Sequence, residues 1–176
     1  IGRIRFDSER KLYDSLCGDR LISQVAEGLR KSNEEDAHRR RLLATALRIT
    51  DRIIPALTER IALVQKIAHL QGREVETFIY NSPQYSASCM CFENDAVFLM
   101  ISSGLYSTLT ERELLFVVGH EFGHILYGHH LLPARAILAQ RGACDAGRAL
   151  KLMAWARRAE ISADRVGLLC CQDLDV

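Results

Sequence analysis

The sequence predicts an α+β fold, mainly helical, with a small sheet of about three strands. Three observations carry this expectation. Apolar residues recur at helical spacing over the first 72 positions, residues 75–110 are β-rich and hold no Lys or Arg, and a helix with a clear start signal follows Gly104. The length of 176 residues suits one domain with a real core. With 23 basic and 22 acidic side chains the net charge is +1, which excludes a dedicated nucleic-acid binder, because phosphate recognition needs a basic surplus.

In the first part, Leu12, Leu16, Ile22, Val25 and Leu29 keep a helical period, and so do Ile53, Ile54, Leu57, Ile61, Val64, Ile67 and Leu70. Pro55 implies a break near residue 54, and Gly72 is a natural helix stop. Between these stretches, Glu34-Glu35-Asp36 precedes Arg39-Arg40-Arg41. Glu35 with Arg39 and Asp36 with Arg40 are favourable i,i+4 pairs on a solvated helix face.

The second part supplies the sheet. Segments 75–80, 87–92 and 96–102 are rich in β-branched, aromatic and small apolar residues, punctuated by Asn81-Ser82-Pro83 and Glu93-Asn94-Asp95. Apolar side chains on both faces require cover on both. After Gly104 the helical period returns. Thr110-x-x-Glu113 forms a capping box that opens a helix running to about residue 130. A last helix spans about 145–171. The expected division is an N-terminal helical segment, 1–73, packed on a core of 74–176. Six cysteines at 17, 89, 91, 144, 170 and 171 read as reduced, half-buried thiols, because their spacing fits no disulfide framework.

No signal peptide and no run of 18 apolar residues is present, which favours a cytoplasmic protein. The chain begins at Ile1 rather than Met and stops at Asp173-Leu174-Asp175-Val176. It is therefore read as a fragment of something longer, and a missing N-terminal segment leaves membrane or periplasmic placement open.

The chemistry sits in the capped helix, at His120-Glu121-Phe122-Gly123-His124. Histidines four apart turn by about 400° and share one helix face, so both imidazoles reach one ion. Glu121, rotated by about 100°, lies beside that ion, where a carboxylate can deprotonate an activated water. Gly123 implies close approach of another backbone. A third ligand is needed, and two candidates exist. His130 follows His120 by ten, a metzincin spacing, but the turn glycine falls one residue late at Gly128 and no Met-turn follows. Glu160 and Asp164 are i,i+4 on the last helix, where like charges repel unless one binds a metal and the other accepts the N–H of a ligating histidine.

Ser103-Gly104-Leu105, Glu113-Leu114, residues 118–125, Gly128-His129 and the Glu160–Asp164 pair together resemble one family. It is the gluzincin zinc metallopeptidases typified by the membrane protease HtpX and the CAAX prenyl protease, peptidase family forty-eight. The resemblance covers about 75–130 and 155–171, and without spanning helices it points to the compact minigluzincin-like members. It implies a zincin-like fold with one Zn2+ held by His120, His124 and Glu160. It makes Glu121 the general base and Asp164 a support behind the ligands. His129 matches a family histidine that is not a ligand, and His130 is expected at the surface. The implied activity is a zinc metalloendopeptidase that hydrolyses peptide bonds with a zinc-bound water activated by Glu121. A peptide or protein substrate would add to an edge strand, with 87–92 the candidate. Tyr127, Arg135 and Arg165 are open candidates for a donor to the developing oxyanion. The alternatives are a zinc-binding chaperone-like or scaffold module, and a latent protease with a covered cleft.

Overall fold

A computed structural model of the protein describes residues 4–31, 35–92, 95–140, 142 and 144–172. Glu34, the punctuating Glu93 and Asn94 of the sequence reading, and the terminal 173–176 lie outside them.

The chain opens with two helices, α1 (Asp7–Cys17) and α2 (Arg20–Lys31), where Asp19 accepts the N–H groups of Leu21 and Ile22 to start the second. Helix α3 (Glu35–Thr45) runs directly into strand β1 (Ala46–Ile49). Helix α4 (Pro55–Ile67) has Pro55 in its first turn, where its missing N–H costs nothing. It ends earlier than Gly72 suggests, because His69 takes the left-handed conformation at φ 55°. Strands β2 (Val75–Tyr80), β3 (Ala87–Cys91) and β4 (Val97–Ser102) follow, then α5 (Ser103–Thr108), α6 (Glu111–Leu126), a 3-10 turn at His129–Leu131, α7 (Ala134–Ala139) and α8 (Ala146–Cys171). Both halves of the Thr110–Glu113 capping box form, and Asp145 caps α8.

The fold is mainly helical α+β. Its sheet has four strands rather than three, in the order β1-β2-β4-β3. The first 72 residues are thus not all helical: β1 pairs antiparallel with β2 from Ala46↔Tyr80 to Ile49↔Thr77. Strands β2 and β4 are parallel, and β3 returns antiparallel to β4. Strand β3 lies at an edge, as expected.

One sheet face turns Leu99, Ile101 and Val97 onto Leu57, Ile61 and Val64 of α4 and Val118 and Phe122 of α6. The opposite face stacks Phe78, Phe98 and Phe92 beneath α3, with ring centroids 5.6 and 4.7 Å apart. There Arg39 departs from the solvated face expected of the arginine run. Besides pairing with Glu35 at 2.7 Å it turns in to the buried Glu76 and lies 5.2 Å over the Phe98 ring. A second cluster joins Leu16, Ile22, Ile137, Leu152 and Trp155 from α1, α2, α7 and α8. None of the six cysteines is in a disulfide. Among the described residues no helix is long and apolar enough to cross a membrane.

Candidate metal centre

Helices α6 and α8 pack against each other closely enough to leave no room for a side chain at Gly123. A methyl there would lie 2.9 Å from the Ala163 Cα and 3.2 Å from its carbonyl oxygen. This close approach brings Glu160 and Asp164, on the same stretch of α8, over the histidine face of α6. Gly123→Ala must push the helices apart. The expected result is a loss of about 1–3 kcal/mol in stability and weakened metal binding, read by thermal unfolding and metal titration. A variant that keeps both would show slack between the helices.

The ligand-type atoms converge. His120 Nε2 and His124 Nε2 are 3.1 Å apart, and Glu160 Oε2 lies 3.4 and 3.7 Å from them. Zinc bonds of about 2.0–2.1 Å in a tetrahedron give ligand–ligand edges of about 3.3 Å, so the trio has the spacing of three tetrahedral corners. It is the one group of three or more metal-ligating side chains among the described residues. The outward ring nitrogens are already engaged: His120 Nδ1 is 2.8 Å from Asp164 Oδ1, and His124 Nδ1 is 2.9 Å from His129 Nδ1. With protons held on those nitrogens, two Nε2 lone pairs face each other and a carboxylate, an arrangement that calls for a cation. The donor set therefore fits zinc. Contact with both histidines holds the Glu160 carboxyl well below its ordinary range, against some burial.

Glu121 sits beside this trio. Its Oε2 accepts the Cys89 N–H of β3 at 3.1 Å, and burial, opposed by both histidines, raises its carboxyl above the ordinary value. The raised value makes it a stronger base. The Cys89 N–H is free for this because Phe92 and Ser102 donate to Ala96 and Ser86, which fixes the even-numbered residues as the ladder to β4. Ala87, Cys89 and Cys91 turn their backbone groups outward. Along this edge runs a groove of about 690 Å³, walled by Met90, Phe92, Leu29, Arg30, His130 and Pro133 among others.

His130 is therefore not a surface residue. It is half-buried in the groove wall, outside the ligand trio, and burial lowers its imidazole to about 4. The oxyanion candidates lie apart in character. Tyr127 is buried with the Arg5 guanidinium 5.2 Å from its ring. Arg165 donates to the Ile4 carbonyl, and Arg135 is exposed on α7.

Sequence reasoning missed the support beneath His124. Gly128, at φ 69°, turns the chain after α6 so that His129 folds back to touch it. Behind His129 lies Glu9 of α1, 0 % exposed. Burial pushes its carboxyl up. Arg5 at 2.6 and 2.9 Å, His129, and Trp155 Nε1 at 2.9 Å outweigh this and hold it at about 2. A depressed folded value means the stabilisation is complete above the ordinary carboxylate value of 4.5 and is lost as the pH falls towards 2. The melting temperature should fall across that window, and Glu9→Gln should flatten the fall. An unchanged acid limb in the variant would remove Glu9 from the account.

An HExxH helix, a carboxylate on a second helix and an edge strand beside them are the arrangement that the sequence resemblance implies. The sequence model described as peptidase family M48 matches residues 50–143, more than half of the chain, and the protein belongs to that family. It is 28% identical over 120 residues to the plastoglobule-localized metallopeptidase 48, chloroplastic, of Arabidopsis thaliana, covering 63% of this chain and 35% of that one. It is 30% identical over 89 residues to a protease HtpX homolog of Bordetella petrii, covering 48% and 30%. The chain thus spans about a third of the length of these curated relatives. No solved structure matches it.

Proposed function

We propose that the chain is a zinc-dependent metalloendopeptidase whose centre is His120, His124 and Glu160, with Glu121 as the general base. The observation that carries this is the convergence of three ligand atoms beside a carboxylate pinned to an edge strand. The family match includes both histidines and Glu121 and stops before Glu160, so the third ligand rests on the geometry. Bound zinc would supply the Lewis acidity that polarises a scissile carbonyl.

The protein's own groups do the rest. Asp164 Oδ1 accepts the proton of His120 Nδ1 and so aims Nε2 inward. Glu121 takes the proton of the attacking water on a carboxylate oxygen and hands it to the departing amine nitrogen. An extended substrate adds alongside β3, pairing with the outward backbone groups of Ala87 and Cys91, while the Cys89 N–H stays with Glu121. On this reading residues 74–176 hold the catalytic core, and 1–73 pack on it and lend the sheet one strand.

The test is metal analysis of the purified chain together with hydrolysis of casein before and after chelation. About one zinc per chain is expected, with internal fragments that vanish on chelation and return with added zinc. Hydrolysis that persists in metal-free protein would overturn the mechanism. Zinc binding without hydrolysis would favour the non-proteolytic module.

A further inference from the structure

We infer that Glu9 and His129 are positioning residues for His124: they form a relay through which the N-terminal helix α1 orients a metal ligand. The inference rests on the zinc reading above.

Proton positions follow from the geometry. For His124 Nε2 to offer its lone pair to the centre, the ring proton must sit on Nδ1. That nitrogen lies 2.9 Å from His129 Nδ1, which must then accept. The proton of a neutral His129 is consequently on Nε2. Nε2 is buried without a hydrogen-bond partner in place, and the group it faces is Glu9 Oε1, 3.5 Å away. Each link thus has one direction, from His124 through His129 to a carboxylate.

The carboxylate is itself fixed. Trp155 Nε1 donates to Oε1 at 2.9 Å, Ser162 Oγ lies 3.4 Å from Oε2, and Arg5 spans both oxygens. The Trp155 ring stands edge-on to His129, at 87° and 5.7 Å between centroids, which locks the ring plane. The two histidine ligands are therefore oriented in parallel ways. His120 leans directly on Asp164, a carboxylate with 50% side-chain exposure, and His124 leans through a second imidazole on a carboxylate with none.

A merely structural Glu9 would serve only as the buried partner of Arg5 and leave zinc affinity untouched. Zinc dissociation constants by chelator competition, and melting temperatures of the metal-stripped chain, separate the two. His129→Phe fills the space but accepts no proton. His129→Gln offers an amide oxygen to His124 and an amide N–H to Glu9. The expected result is zinc binding weakened by about 10- to 100-fold in His129→Phe, largely restored in His129→Gln, and weakened in Glu9→Gln. If His129→Phe does not fold, the near-isosteric Glu9→Gln gives the same reading. Affinity within about twofold of wild type in a folded His129→Phe, or equal loss in the Phe and Gln variants, overturns the relay. A wild-type chain with no zinc affinity overturns the metal assignment, and the relay with it.

Discussion

Glu121→Gln is expected to lower peptide hydrolysis by about 10²–10⁴-fold while zinc affinity stays close to wild type. The amide is nearly isosteric with the carboxylate. Its oxygen still accepts the Cys89 N–H, which is 3.1 Å from the native side chain, so the local structure has no reason to move. What is lost is the basic oxygen, and with it the proton transfer from water to the leaving amine. Rates on casein or a quenched peptide, set beside the zinc dissociation constant, give both halves of the result. Hydrolysis that survives the change would sink the role given to Glu121.

Glu160→Ala should remove zinc binding almost entirely, by more than about 10²-fold, since even a supporting residue is worth 10–100-fold. Its Oε2 supplies one corner of a trio whose other two corners are 3.4 and 3.7 Å away. His130→Ala should leave zinc content unchanged, because that ring lines the groove rather than the trio. The contrast tests the choice between the two third-ligand candidates. Retained zinc in the Glu160 variant, or lost zinc in the His130 variant, would reverse it.

Features with local causes were legible in the sequence. The capping box at Thr110, the break at Pro55 and the start of the last helix near residue 145 all depend on neighbours within a turn, and each formed where the residues placed it. The histidine pair was legible for the same reason, since helical spacing alone puts both rings on one face. Strand β1 was not. It follows α3 with no intervening turn residue, and it becomes a strand only by pairing with β2 some thirty positions on.

Glu9 was hidden by distance of another kind. Its partner Trp155 is 146 residues away, so no local pattern marks it. One signal was available: Glu9 falls on the same helical stripe as Leu12, Tyr13 and Leu16. An acid on an apolar stripe, with Arg5 one turn before it, is a reason to look for a buried partner. His130 misled for the opposite reason, because a polar side chain after a helix end reads as exposed until α2 and α7 are packed around it.

The interlock of α6 with α8 also has a consequence in time. Polypeptides are made from the N-terminus, and the histidines emerge from the ribosome well before Glu160. Helix α1 cannot complete its docking until α8 is made, since its buried carboxylate is met by Trp155 and Ser162. A half-made chain therefore carries the two histidines and their glutamate without Glu160 or the brace. Chemistry that depends on the full constellation can begin only after translation has passed α8.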